Sequence, residues 1–335
     1  MKKNNSSSGG TGKTSLRSAM GGLWEHYSDT GVRDIFVDAF DRVSVERKGR
    51  LEAVPSPFAS AAALAAFIKK LAAYPGCTVR RGGTVLDIKL PDRTRVTCAL
   101  GEAYQAVVIS KVPSVVFGWD ELVKHGCLPE EGRKLFEAAL GEMKSVLVAG
   151  ASCSGKTTTI EVLANGIPAA RRVVAVQGAS ELALRHPAGL SLDAATDEEF
   201  VELLKRAENF LPDYLVVDSL EGVGVPEVVR AMRNGLAVIA SCHADSALDA
   251  LKRLEYMYLA SKTAFGLDEI RSMLASGLGY VSFQERGADG HRRVVEFSRV
   301  DGYEDGRYIL TPLLKYSGEA AAFELTPAGK AMLKK

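Results

Sequence analysis

Hydrophobic and polar positions fall into two regimes along the chain. From residue 21 to 112, strand signals are mixed with one helix. Ile35-Phe36-Val37 and Val43-Ser44-Val45-Glu46 read as strands about a turn at Asp41-Arg42, with another turn at Lys48-Gly49. The Ala- and Leu-rich stretch from Ser60 to Ala73 predicts a helix that Pro75-Gly76 stops. Val85–Ile88 and Arg95–Cys98 predict two more strands joined at Pro91-Asp92. Gln105–Lys111 adds a last strand, after which Val112-Pro113-Ser114 breaks the pattern.

Beyond a linker expected at 113–120, residues 121–317 alternate strands with helices. The strands Val146–Ala149, Arg172–Val176, Tyr214–Val217 and Ala237–Ala240 are short and nearly all apolar, as strands buried on both sides must be. Helical stretches fall at Glu130–Leu140, Thr157–Asn165, Glu198–Phe210, Pro226–Arg233, Ala247–Ala260 and Leu267–Ser276. After Ser276 the pattern changes to antiparallel-type strands, Tyr280–Glu285 and Arg292–Arg299, about a turn at Gly287–Gly290. The expected fold is therefore α/β: a smaller α+β N-terminal domain, then a mostly parallel sheet with helices on both faces. Residues 1–20 carry no hydrophobic period and are expected to be disordered. The tail, 318–335, offers a short helix at Pro327–Leu333 and no assignable role.

Candidate chemistry concentrates where the first strand of the second regime ends. Ser145-Val-Leu-Val-Ala-Gly150 runs into Ala151, Ser152, Cys153, Ser154, Gly155, Lys156, Thr157 and Thr158, with Gly150, Gly155, Lys156 and Thr157 at the Walker A spacing. The glycines let the backbone curl tightly enough to aim successive N–H groups at phosphate oxygens. Lys156 would reach the β- and γ-phosphates of ATP and the Thr157 hydroxyl would ligate Mg²⁺, while the helix that starts near Lys156 points its positive end at the same anion. Strand before and helix after are both present. By contrast, Gly9-Gly10-Thr11-Gly12-Lys13-Thr14 only imitates such a loop. Ser7 stands where the leading Gly belongs and no strand precedes it, so no binding is expected there.

Other residues of the second regime bear on the same ligand. Tyr214-Leu-Val-Val-Asp218 is an apolar strand ending in a carboxylate, the form of a Walker B segment, and Asp218 would hold Mg²⁺ through water. His243 follows the strand Ala237–Ala240 at its carboxyl end, where ligands of such sheets collect. It would donate a hydrogen bond to the γ-phosphate or serve as an ordinary polar surface residue; the pattern leaves both open. Glu181 and Glu221 are acids in loops after strands, placed to orient water or simply solvated.

Composition narrows the function classes. The chain has 42 Lys and Arg against 41 Asp and Glu, so no bulk field draws it to nucleic acid or an anionic membrane. No basic stripe is interleaved with aromatics, which argues against a nucleic-acid motor. No apolar run approaches the roughly eighteen residues of a membrane span, and the polar start lacks a signal-peptide core, so a cytoplasmic location is expected. The five cysteines, Cys77, Cys98, Cys127, Cys153 and Cys242, are scattered and form no metal-ligand spacing. Free thiols are expected, with oxidation of Cys153 or Cys242 as a second way to block the loop.

Together these segments resemble the secretion traffic ATPases that power type II and type IV secretion and type IV or tight-adherence pilus assembly, closest to the CpaF-like branch. The resemblance runs from about residue 30 to 316. It is carried by Arg33–Val37 with Asp41–Arg47, by Asp87–Val96, by the Walker A loop, and by Ser241-Cys242-His243-Ala244-Asp245-Ser246 with Ala250–Glu255. Ile270-Arg271 through Ser276, and Arg292-Arg293-Val294, continue it. The resemblance implies a RecA-like core, ATP and Mg²⁺ as cofactors, and a hexameric ring, of one chain or mixed with a paralogue. It further implies rocking of one domain against the other, an inner-membrane platform protein as partner, and His243 as γ-phosphate sensor.

Departures from the family's motifs fall on catalysis. Its Asp box, Ile-Glu-Asp-Thr-x-Glu, is Val176-Gln177-Gly178-Ala179-Ser180-Glu181 here, and the water-activating glutamate after Walker B falls on Ser219. Two arginines expected before Pro212-Asp213 fall on Asn209 and Leu211, and the nucleotide-facing arginine of the first domain falls on Ser110. Loss of a positioned base lowers turnover by about 10² to 10⁴. Asp218 precedes the glutamate position by one residue, which on a strand turns a side chain to the opposite face. Nucleotide binding with slow or absent hydrolysis is one expectation; an active enzyme with a rearranged carboxylate is the other.

Overall fold

The computed structural model describes residues 15–47, 50–101, 104–111, 117–178, 182–194, 196–220 and 222–334. The chain forms two compact units that divide between residues 115 and 116. In the first, α1 (Leu16–Met20), α2 (Trp24–Ser28) and α3 (Ala61–Ala72) accompany a seven-stranded sheet. Its strands are β1 (Val32–Ala39), β2 (Arg42–Arg47), β3 (Arg50–Val54), β4 (Thr78–Gly82), β5 (Val85–Lys89), β6 (Arg95–Leu100) and β7 (Gln105–Ser110). Every neighbour in the order β3-β2-β1-β7-β6-β5-β4 is antiparallel. One face is buried, so inward positions alternate: Ile35 and Val37, Val43 and Val45, Val107 and Ile109. On α3, Leu64, Phe67, Ile68 and Leu71 form the stripe that covers that face. Ser60 starts this helix by accepting the Ala63 N–H.

The expected disorder of residues 1–20 is corrected at its end. Ser15 caps α1, accepting the Ser18 N–H at 3.2 Å, and Ala19 and Met20 are buried in the core of the first unit. A five-residue helix is too short to leave a hydrophobic period, and it holds by docking. Gly9–Thr14 and the turn expected at Lys48-Gly49 lie outside the described residues, as does the first half of the expected linker. The end of that linker is helical, because Trp119 opens α4 (Trp119–Lys124) and packs on Gly166 and Phe136.

The second unit continues with α5 (Glu130–Gly141), β8 (Ser145–Gly150), α6 (Lys156–Gly166), β9 (Val173–Gln177), β10 (Gly189–Asp193), α7 (Asp197–Arg206) and β11 (Tyr214–Val217). Then follow α8 (Val225–Arg233), β12 (Ala237–Cys242), α9 (Ala247–Ala260), α10 (Leu267–Gly277) and β13 (Leu278–Arg286). The unit ends with β14 (Arg292–Glu304), β15 (Arg307–Ser317), β16 (Ala322–Leu325) and α11 (Pro327–Met332). Its nine strands run β10-β9-β11-β12-β8-β13-β14-β15-β16, parallel as far as β13 and antiparallel beyond. Alternate strand residues feed two cores. Leu147, Val174, Leu215 and Val238 face α7 to α10, while Val146, Val173, Val216 and Ile239 face α5 and α6.

Two expectations change here. The strand expected after Ser276 is antiparallel to β14 but parallel to β8, so it closes the parallel sheet as well as opening the antiparallel ribbon. The segment expected as a tail belongs to the fold: β16 pairs with β15, and α11 buries Met332 against the α5 side of the sheet. A lone four-residue strand gives no hydrophobic period of its own; its register comes from β15.

Candidate nucleotide site

Strand β8 is buried along its whole length between β12 and β13, and its end delivers the loop 151–155 to the carboxyl edge of the parallel strands. In register, Ala149 faces Cys242 on one side and Gly150 faces Gln284 on the other. A Cβ at Gly150 would lie 2.2 Å from the Gln284 carbonyl oxygen. Gly155, at φ +100°, caps α6 in the left-handed region that a side chain would strain. Both Walker glycines are therefore fixed by geometry.

Lys156 opens α6 and is buried. Its ammonium donates to the Ala151 carbonyl at 2.8 Å and lies 3.3 Å from His243 Nδ1. The Ser154 N–H meets the same Ala151 oxygen at 3.3 Å. One acceptor oxygen thus collects an ammonium and a backbone amide, the donor pair that a phosphate oxygen takes in a nest. Thr157 and Thr158 occupy the first turn of α6, half-buried, and Cys153 is exposed in the loop at φ +60°.

Asp218 follows β11 directly and is buried. Its Oδ1 accepts the Ser241 hydroxyl at 2.7 Å and the Ser219 N–H at 3.0 Å, and the Ser219 N–H also reaches Ser241 Oγ. The chain then turns: Ser219 is exposed at φ +54° while Asp218 points inward. A hydroxyl on α6 and a held carboxylate are both hard oxygen donors and fit Mg²⁺. Among the described residues no group of three or more His, Cys, Asp or Glu side chains gathers as a metal site. Thr157 and Asp218 would then hold the ion together with the nucleotide's own phosphates and water, where it would neutralise phosphate charge.

Of the other expected residues, Glu181 and Glu221 lie outside the described residues. Gln177, which stands in the Asp box, is buried and bonded to the segment after β9 and to β10. Its Oε1 accepts the Leu182 N–H at 2.9 Å and its Nε2 donates to Ser191 Oγ at 2.9 Å. Leu211 is 81% exposed in a left-handed turn. Cys242 is buried at the end of β12, and burial pushes its thiol up to about 12, which corrects the idea of an oxidisable cysteine there.

Two residues at the loop were not legible as such. Gln284, buried on β13, donates from Nε2 to the Ser154 carbonyl at 3.2 Å, and Arg292, on β14, donates from Nε to the Cys153 carbonyl at 2.8 Å. A polar Gln inside an otherwise apolar strand was the signal available for the first. For the second the signal was its place in the Arg292-Arg293-Val294 stretch of the family resemblance, which gave it no role at the loop.

A family model described as type II/IV secretion system protein matches residues 19–285. The chain belongs to that family. Among relatives of this secretion family, the type IV secretion system protein PtlH of Bordetella pertussis is 32% identical over 173 residues, 48% of this chain and 51% of PtlH. The conjugal transfer protein TrbB of Rhizobium radiobacter is 23% identical over 207 residues, 61% of this chain and 62% of TrbB. The chain spans about half the length of the curated relatives it matches. Among solved structures, the pilus retraction motor PilT with bound ADP is similar at a TM-score of 0.59 and 16% identity, covering 91% of this chain and 85% of that one. The Legionella pneumophila ATPase DotB is similar at 0.58 and 15%, covering 83% and 79%. At those identities the likeness concerns the fold alone: an α/β core preceded by a smaller domain.

Proposed function

We propose that this chain is an ATP-binding motor subunit of a type II or type IV secretion system, or of a type IV (Tad/Flp) pilus assembly system of the CpaF-like branch, and that it hydrolyses ATP slowly. The observation that carries the reading is the convergence of Lys156, the Ser154 amide and His243 on one side of a glycine-bounded loop at the head of the central sheet. Those groups supply most of the ground-state grip on a triphosphate, and Thr157 with Asp218 would hold Mg²⁺. Family membership supports an ATPase. Of the relatives, PtlH is a type IV secretion system protein and TrbB a conjugal transfer protein.

Slow turnover rests on three positions. Ser219 has no carboxylate with which to draw a proton from water, the Gln177 amide is taken up by Leu182 and by Ser191 of β10, and Leu211 offers no guanidinium to the phosphoryl group. Asp218 points inward into its contact with Ser241. These features favour a second reading within the first: a regulatory paralogue that binds ATP in a ring with an active partner. On either reading the chain acts in a homohexamer or mixed ring, is cytoplasmic, meets the inner membrane through a platform protein, and binds no nucleic acid.

Phosphate release from purified protein with Mg²⁺-ATP, against a Lys156→Ala control, tests both. Weak release in the native chain, and a rise of about tenfold or more in Ser219→Glu, is the expected outcome. Robust Lys156-dependent turnover in the native chain would remove the slow-hydrolysis part and leave the motor. No calorimetric heat with ATP and magnesium would end the nucleotide reading.

A further inference from the structure

The loop is braced from behind by the β13–β14 hairpin, and two side-chain hydrogen bonds from it end on backbone carbonyls. Gln284 holds the Ser154 carbonyl and Arg292 holds the Cys153 carbonyl. A planar trans peptide points its C=O and N–H in opposite directions. Fixing these two carbonyls toward the hairpin therefore turns the N–H groups of Ser154 and Gly155 to the other side of the loop. The Ser154 N–H does run that way, to the Ala151 oxygen that Lys156 also meets.

The bracing carries a cost that packing alone does not explain. Gln284 Oε1 and Ser154 Oγ are both buried without a hydrogen-bond partner. An apolar side chain at 284 would avoid an orphaned oxygen, since unsatisfied buried polar atoms are expensive and rare. What the amide supplies in return is a donor aimed at the loop. The fit is close on every side: a Cβ at Gly155 would lie 3.1 Å from Arg292 Cδ and 3.3 Å from Gln284 Nε2.

We propose that Gln284 and Arg292 are positioning residues that preset the phosphate loop, acting on the anion through the orientation of the Ser154 and Gly155 amides and not by contact with it. The inference rests on the nucleotide reading above. The ligand moiety they govern is the polyphosphate chain, so inorganic tripolyphosphate should feel their loss as strongly as ADP does.

Calorimetric titration of the full chain with Mg²⁺-ADP and with tripolyphosphate tests this in the native protein, Lys156→Ala, Gln284→Met and Arg292→Met. Each hairpin variant is expected to bind both ligands about tenfold more weakly, the loss of one orienting hydrogen bond. The melting temperature without ligand should stay near the native value while the ligand-induced rise shrinks. Because the lever is a hydrogen bond to a carbonyl, the gap should persist from about 0.05 to 0.5 M salt, where free charge attraction is screened. Native affinity in both variants, with Lys156→Ala impaired, overturns the positioning role and leaves the nucleotide site standing. A gap in Arg292→Met that closes with salt overturns it for Arg292. Absence of binding in the native chain removes the nucleotide reading itself. Should Gln284→Met fail to fold, Arg292→Met, at a half-exposed position, decides the matter.

Discussion

At the scale of single residues, the loop shows which parts of a site a sequence carries openly. Gly150 and Gly155 are required by backbone geometry, one by the approach of the Gln284 carbonyl and the other by a left-handed φ, and such demands leave a glycine spacing to be read. Lys156 and Asp218 were legible because each ends or begins an apolar element. Gln284 and Arg292 were not, because they reach the loop from 130 and 139 residues away and no local pattern records that. The cysteines separate by environment. Burial pushes the thiols of Cys98 and Cys242 up to about 12, so thiolate is scarce at neutral pH, while Cys153 stands exposed in the loop. Brief maleimide treatment at pH 7.5 followed by peptide mass mapping should find Cys153 labelled and Cys98 and Cys242 spared. Mg²⁺-ATP should slow the labelling of Cys153.

At the scale of elements, helices with a buried stripe were legible and exposed strands were not. On α8, buried Val225, Val228, Val229 and Met232 recur at helical spacing. On β3, Leu51 is 68% exposed and the strand is held by its ladder to β2, so its sequence shows no alternation to read. Edge strand β10 was missed for a different reason: Leu190 and Leu192 do alternate with exposed Gly189, Ser191 and Asp193, but five residues are too few to tell a strand from a loop. Between α9 and α10 lies a contact that neither helix announces. Arg271 donates to the buried Glu255 carboxylate at 3.1 Å and to the Tyr303 hydroxyl, and these bonds, Tyr303 first, raise its own pKa. Removing one partner of a buried pair leaves the other charge uncompensated. Arg271→Ala should destabilise the second unit by about 3 kcal/mol or more. Urea unfolding checks this, and a change under about 1 kcal/mol would show the pair to be solvated in practice.

At the scale of the whole molecule, the second unit is completed by residues that looked dispensable. Strand β16 and helix α11 close the ribbon, and Phe323, Leu325 and Leu333 pack with buried Met332 on the same core as Phe136 and Tyr280. Gly329 is held so closely that a Cβ there would lie 2.2 Å from the Leu313 oxygen. Ending the chain at Ser317 removes that cover. The expected cost is about 3 kcal/mol, from one to two large apolar side chains returned to water. Differential scanning calorimetry should then show the second unit melting roughly 6 to 12 °C lower. An unchanged melting temperature would mean that the last residues add nothing to the core.

The position of β8, flanked by a strand whose Gln284 lies 130 residues beyond Ser154 of the loop, also sets an order of events at the ribosome. A nascent chain that has emerged as far as α10 already carries every glycine and the lysine of the motif, yet its loop still lacks a rear wall. Non-local pairing of this kind is slow, and the chain emerges at about 5 to 20 residues per second. For several seconds of translation the Ser154 and Cys153 carbonyls are without the partners that later hold them. The brace on the Ser154 and Cys153 carbonyls is complete only once the β13–β14 hairpin has docked.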